Sequence, residues 1–335
     1  MISRKAFFVC LIILGLWRSP PVLGNQVYKD SYNFRLYPGS VIFQGQTLKI
    51  EFEGYYPVKP EVKYEEKNIP LFQYQDKTIA LIPIDSQEVE GIKLISVNNF
   101  DFAIPILVRK NDFLITRLRP FTPNTSPGFL AEKQKLRELF NDTVGNVYLE
   151  GEFQNPLENK IVVRSQFGTK RVGKIQTGVK TLRTKTRKGR TRTKNIPVYS
   201  PYTHIHKGID LHTVQGKKTK IFSINDGEVM IAAPFMAEGN FVVVRHAPGI
   251  YSLYMHLSAI NVKPGQVVSK GQLLGLAGNT GNVYGKRKLV RLKNSKRRVI
   301  ITSGGVHLHF EIKVNGISVD PIQFIKLFNN QTVKS

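Results

Sequence analysis

Along most of this chain apolar and polar side chains alternate every second residue, the period of a β-strand with one buried face. Short segments of this kind fall at Tyr32–Leu36, Leu48–Phe52, Glu61–Tyr64, Thr78–Ile84, Gly91–Val97 and Phe102–Val108. They are rich in β-branched and aromatic residues and are separated by Gly, Pro, Asn and Asp. Residues 25–110 are therefore expected to form a small β-sandwich. An immunoglobulin-like arrangement is one form of it, although no Cys-Trp-Cys signature marks it. Arg119–Gly128 holds three prolines and reads as part of a linker over 111–146. Leu136, Leu139 and Phe140 have helical spacing and predict one short helix from Leu130 to about Asp142. From about Val147 to residue 329 the period of two returns, closing with a helical turn around Ile322–Leu327. The expected fold class is mainly β, with a sandwich followed by a C-terminal antiparallel sheet.

The first 24 residues break this pattern. Arg4 and Lys5 precede an apolar run from Ala6 to Trp17, and Ser19–Gly24 is small and proline-rich. That layout predicts a secretory signal peptide over 1–24, and the run is too short to cross a bilayer comfortably. The chain is expected to be exported to the periplasm, cell envelope or exterior, with no transmembrane segment after signal removal. Cys10, the single cysteine, lies inside the run, so the mature chain has neither a disulfide framework nor a thiolate metal site. An apolar fraction of 41% is ample for two ordinary cores.

Charge changes the picture locally. The net charge is +25, yet Lys170–Lys194 alone holds eleven Lys or Arg and no acid, and Lys286–Arg298 holds eight and no acid. In the first tract Thr alternates with Lys or Arg on both sides of Lys188-Gly189, which predicts a β-hairpin turning near Gly189. The second repeats the design over Lys288–Ile301, with Asn294-Ser295 at the turn. Both are read as solvated hairpins or as a clamp for a polyanion, such as an anionic envelope polymer. Nucleic acid is not expected, because no aromatic residues interleave the cations as a stacking platform.

The histidines carry the candidate chemistry, and residues 25–110 contain none. In Gly304–Ile312 the alternation puts His307 and His309 on one strand face and Val306, Leu308 and Phe310 on the other. Such a pair suits a metal, a metal ligand beside a base, or a structural role. Upstream, His206 and Asp210 stand four residues apart; a fully extended strand would separate them by roughly 13 Å, but Gly208 allows the backbone to bend. Two imidazoles and a carboxylate would leave a fourth position open, the layout of a catalytic zinc site. Spacing does not say which of His307 and His309 would touch the metal. His204 is expected to share a strand face with His206, while His212 and His246 are read as structural. Lys263–Gly271 on its own is also similar to the β-turn-β runs of lipoyl and biotinyl carrier domains, a reading the metal motifs oppose.

His206-x-x-x-Asp210, Tyr254-Met255-His256-Leu257 and His307-Leu308-His309 occur in the order found in lysostaphin/LytM-type zinc endopeptidases, which this chain resembles from about Val147 to Phe328. Phe167-Gly168, Gly208-Ile209-Asp210-Leu211, Asp226-Gly227-Glu228-Val229, Val267-x-x-Lys270-Gly271-Gln272 and Gly278-Asn279-Thr280-Gly281 support the likeness. The resemblance implies a metallopeptidase domain over 147–329 with one zinc ion on His206, Asp210 and His309. It also implies that His307 and His256 flank the open position as catalytic residues, and that peptide bonds of peptidoglycan stems or cross-bridges are the substrate. The chain departs from the family pattern at the two basic insertions, near 170–195 and 284–303. A non-catalytic wall-binding or hydrolase-regulating protein on the same fold is the alternative. A polyanion-binding module with a structural metal is a third reading.

Overall fold

The structure, a computed structural model, describes residues 33–53, 60–98, 103–158, 161–213, 216–282, 286–291, 298–303 and 305–329. The expected signal segment 1–24 and the expected turn at Asn294-Ser295 lie outside them. Strands dominate, and two α-helices, Pro127–Asn141 and Pro321–Asn329, are described.

The N-terminal part is built from two sheets. Strands Asn33–Tyr37, Thr47–Glu53, Lys77–Pro83 and Leu71–Tyr74 pair in that order, antiparallel throughout. Strands Val41–Phe43, Ile104–Arg109, Gly91–Val97, Val62–Tyr64 and Lys67–Ile69 form the second sheet, the first two paired in parallel. Leu48, Ile50, Phe52 and Ile82 of one sheet and Ile42, Ile95, Ile106 and Val108 of the other bury a common core. The three-residue strands Val41–Phe43 and Lys67–Ile69 are too short for an alternating pattern to register in sequence. Thr47–Glu53 is buried from Thr47 to Phe52 because its other face also has a partner. There Phe72, Tyr74, Ile79 and Leu81 join the C-terminal core with Phe324 and Phe328. Gln323 of the last helix accepts from the Thr47 amide at 2.9 Å and donates to its carbonyl at 3.1 Å. The charges on this face are paired, Lys49 with Glu51 at 2.7 Å and Lys77 with Glu51 at 2.9 Å, as burial demands.

The C-terminal part is a twisted antiparallel sheet. Its order is Val163–Ser165, Ile209–His212, His307–Val314, Ile250–Leu257, Gly239–Ala247, Gly227–Phe235 and Val267–Val268, and Ile317–Val319 also pairs with His307–Val314. One face packs Leu211, Leu308, Phe310, Tyr254, Val242 and Val244 into the core. On the opposite face Phe241, Val243, Tyr251 and Leu253 receive Leu136 and Phe140 of helix Pro127–Asn141. That helix starts three residues before the expected Leu130, because Ser126 caps it by accepting from the Phe129 amide and Pro127 suits the first turn. Register puts Asp210, His309 and Glu311 on this same face, in the neighbouring strands.

The first basic tract is a longer ribbon than the alternation around Gly189 suggests. Lys170–Lys185 and Thr191–Ile205 pair continuously from Lys170↔Ile205 to Lys185↔Thr191, with one irregularity between Gln176 and Gly178. The turn is closed by Gly189 in the left-handed region at φ 73°. Its root also recruits the linker. Ile115–Arg117 pairs in parallel with Lys170–Val172, and Phe121 bridges to Ile175. Part of the segment expected as loop is thus extended, because the ribbon edge offers it backbone partners: the Leu118 amide donates to Val172 O at 2.7 Å and the Gln176 amide to Phe121 O at 2.9 Å. Lys286–Arg291 and Arg298–Ser303 form a second antiparallel hairpin.

His246 lies inside this frame, fully buried. Its Nδ1 donates to the Asp226 carbonyl at 2.7 Å, and Ser252 Oγ sits 2.7 Å from Nε2. Burial pushes its pKa down from 6.5 to about 4. The unfolded chain therefore binds a proton below pH 6.5 that the folded chain refuses until pH 4, so stability falls as pH drops through that window. We expect His246→Asn to remove a slope worth on the order of 3 kcal/mol between those limits, read from denaturant unfolding of the metal-free protein at pH 7, 5.5 and 4.

Candidate metal centre

Two adjacent strands set the site. Asp210 of Ile209–His212 lies directly opposite His309 of His307–Val314, and His212 opposite His307. Between Ile205, where the ribbon ends, and Ile209, where the next strand begins, the chain bends at His206–Gly208. That bend returns the His206 ring to Asp210, which a continuous strand would have carried away. Gly208 permits it, since a Cβ there would lie 2.4 Å from the Phe310 carbonyl oxygen and 3.0 Å from His309 Nε2.

The result is three donor atoms at one point. His206 Nε2 lies 3.1 Å from Asp210 Oδ1 and 3.1 Å from His309 Nδ1, and His309 Nδ1 lies 2.8 Å from the same Oδ1. His206, Asp210 and His309 form a group whose ligand atoms lie within 4.8 Å of one another. Zinc bonds of about 2.0–2.2 Å set tetrahedral donors roughly 3.3 Å apart, so an expansion of a few tenths of an ångström would admit the ion. The donor chemistry fits as well: neutral imidazole nitrogens and a carboxylate are zinc ligands.

The outer bonds of the rings fix which nitrogen is offered. His206 Nδ1 donates to Gln166 O at 2.9 Å, with Ser165 Oγ at 3.2 Å, leaving Nε2 toward Asp210. His309 Nε2 meets Glu311 Oε1 at 2.9 Å, leaving Nδ1 toward Asp210. Arg171 donates to Asp210 Oδ2 at 3.2 Å, which leaves Oδ1 as the shared atom. The remaining two candidates obey the same rule. His256 Nδ1 donates to Thr280 O, and His307 Nδ1 to Gly305 O, each at 2.9 Å. Their rings stand 5.1 Å apart, and that of His256 is 5.9 Å from His309; His307 Nε2 reaches to 3.9 Å from Asp210 Oδ1. His256 holds its place in the left-handed region at φ 65°, a conformation costing on the order of 1–3 kcal/mol. The Glu238 carbonyl, accepting from its amide at 2.8 Å, steadies it.

Electrostatics describe a site that wants a cation. Burial opposes a charge on His309, but Asp210 and Glu311 on its two nitrogens outweigh burial and raise it to about 9. Burial likewise opposes ionisation of Asp210, and the hydrogen bonds from His206 and His309 reverse this, holding its carboxyl well below the usual carboxylate range. Burial pushes His206 down, and pushes His256 down to about 3 with the help of nearby His309 and His307.

The structure thus brings together all five sequence candidates, His206, Asp210, His256, His307 and His309. His204 is outside the group: it faces Arg171 across the ribbon and stacks parallel to Tyr202, with ring centroids 6.4 Å apart. His212 has a partner that sequence did not supply, Arg164, which donates to its Nδ1. Sequence reasoning also missed Glu311, Arg171 and Thr280. Glu311 had a signal, for it continues the His307, His309 period of two on one face. Arg171 was hidden within a tract of eleven cations.

Residues 204–321 match peptidase family M23. Over 118 residues the chain is 36% identical to an uncharacterized metalloprotease of Haemophilus influenzae and 35% identical to the peptidoglycan DD-endopeptidase ShyA of Vibrio cholerae. Each match covers 35% of this chain, and 20% and 22% of those relatives respectively, so the chain spans about a fifth of their length. A solved structure from Pseudomonas aeruginosa assigned to peptidase M23 shares the fold, with a TM-score of 0.55 at 18% identity over 85% of this chain and 95% of that one.

Two substitutions probe the support of the site. Glu311→Ala is expected to weaken zinc binding roughly 10–100-fold in chelator competition, with Glu311→Gln recovering part of it through its amide oxygen. Gly208→Ala should lower both zinc occupancy and Tm, because its methyl group displaces the Phe310 backbone.

Proposed function

We propose that this chain, which carries a peptidase family M23 domain of the lysostaphin/LytM type, is an exported zinc-dependent endopeptidase that hydrolyses peptide bonds of peptidoglycan. The observation that carries the proposal is the pattern of the four imidazoles. Each has one nitrogen tied to an outer acceptor, and the other is left for the centre around Asp210. A structural site closed by four ligands would not need two further imidazoles beside it.

In this reading His206, Asp210 and His309 hold the ion. Once bound, zinc supplies a Lewis acid for the scissile carbonyl and lowers the pKa of a water to near 7. His256 and His307 flank the open position: Nδ1 of each is fixed as a donor, which leaves Nε2 of each to hold the attacking water, and an imidazole beside it relays the proton to the leaving amine. Hydrolysis then places hydroxyl on the carbonyl carbon and hydrogen on the amine nitrogen. Arg171 and Glu311 do not touch the peptide; they hold Asp210 and His309 in register. Among the described residues no helix is long and apolar enough to cross a membrane. The envelope location is supported by the signal-like segment and by the peptidoglycan endopeptidase among the relatives.

Digestion of purified peptidoglycan, with fragments identified by mass, tests the proposal. Zinc-dependent release of peptides with new amino termini is expected, abolished by chelation and by His309→Ala. His256→Ala should keep about one zinc per chain while losing roughly 10²–10⁴-fold in kcat. A folded, zinc-loaded protein that releases no peptide would overturn the reading.

A further inference from the structure

We infer that the exposed ribbon Lys170–Lys185/Thr191–Ile205 is a docking arm for a carboxylate-bearing polymer strand, which it leads toward the candidate metal centre. Only the identity of that polymer rests on the peptidase reading.

The ribbon begins at the site itself, where Arg171 bonds Asp210. Register then lays out its faces. On the face of Arg171, His204 and Tyr202 follow near the root, and farther out Lys180, Arg192 and Lys194 stand among Val198, Ile196 and Leu182. The other face carries Arg183 and Lys185, and the turn carries Arg187, Lys188 and Arg190. Lys180–Lys194 thus holds eight cations and no acid, all of them exposed. Among the described residues the one ribbon cation in an ion pair is Arg171. Like charges so placed repel one another, and a polyanion relieves that repulsion while each of its charges adds to one multivalent contact. A strand of 16 residues extends about 50 Å, far longer than a small anion, which would meet one or two cations.

Three features select the class of partner. Apolar and cationic residues share one face, with Leu182 opposite Lys194 and Ile196 opposite Lys180, and cations occupy the other face too. A bilayer-seated element segregates the two kinds. No aromatic residue lies between Lys180 and Lys194 to stack on bases. The root is aimed: Ile115–Arg117 and Phe121 zip along Lys170–Ile175, and Tyr202 meets Phe121 edge to face at 5.2 Å. A polymer held by the arm therefore has a defined approach to the centre. Uncrosslinked stem peptides end in free carboxylates, which makes the proposed substrate itself such a polymer.

The test is retention of the full-length chain on purified sacculi with chelator present, so that no cleavage removes the polymer. K180Q/R183Q/K185Q/R192Q/K194Q should bind roughly tenfold more weakly at about 0.05 M salt, the difference closing near 0.5 M. The charge-preserving K180R/R183K/K185R/R192K/K194R should bind like wild type, and amidated sacculi should bind wild type poorly. Unchanged retention of the glutamine variant, equal loss in the charge-preserving one, or undiminished binding to amidated sacculi would each overturn the inference. So would variant-sensitive binding to phosphatidylglycerol vesicles or to polyphosphate without binding to sacculi. Because retention is read without turnover, a chain that docks and never cleaves defeats the peptidase reading alone, and one that cleaves without docking through the ribbon defeats this one alone.

Discussion

A single pairing register governs this molecule: Asp210 opposite His309 in neighbouring antiparallel strands. A slip of either strand by one residue would send its own polar side chain, Asp210 or His309, into the apolar core and turn its leucine, Leu211 or Leu308, outward. Both leucines are fully buried, so the core enforces the register with the same side chains that alternate with the polar ones. The candidate metal donors are thus held by hydrophobic burial on the reverse face of the sheet. Glu311 and Arg171 then set orientation within that frame.

The alternating period made the β character, the His307/His309 pairing and the placement of the apolar face legible, because each depends only on neighbours along one strand. What stayed hidden depends on contacts between distant segments. The meeting of His206 with Asp210 needs the chain to leave one strand at Ile205 and enter another at Ile209, which spacing alone permits but does not require. Ile115–Arg117, within the expected linker, is extended through pairing with a ribbon edge fifty-odd residues away. Thr280 matters through its carbonyl, a group that every residue possesses and no sequence pattern marks. Gly239 serves the same loop: at φ 69°, with Thr280 atoms 2.3–2.5 Å from where a Cβ would stand, it lets the loop press close enough to hold His256.

The charge of the chain divides along the same lines. Around the centre, cations and carboxylates are matched, Arg171 with Asp210 and His309 with Asp210 and Glu311. On the outer ribbon, where Lys180–Lys194 holds eight cations and no acid, they are not. Burial accounts for the difference: a charge withdrawn from water must find a partner inside the protein, whereas an exposed one is stabilised by solvent and remains available.

The N-terminal sandwich and the C-terminal sheet are separate in sequence, divided by a segment rich in proline. Physically they share a core, since Phe72, Tyr74, Ile79 and Leu81 pack in one cluster with Phe324 and Phe328, and Asn315 donates to the Leu81 carbonyl at 3.1 Å. Severing the chain between them would uncover aromatic surface on both halves and strand the Lys49–Glu51 pair without its cover. The N-terminal module is therefore a foundation of the C-terminal sheet, and the unit that supports the candidate metal centre is larger than the strands that carry its residues.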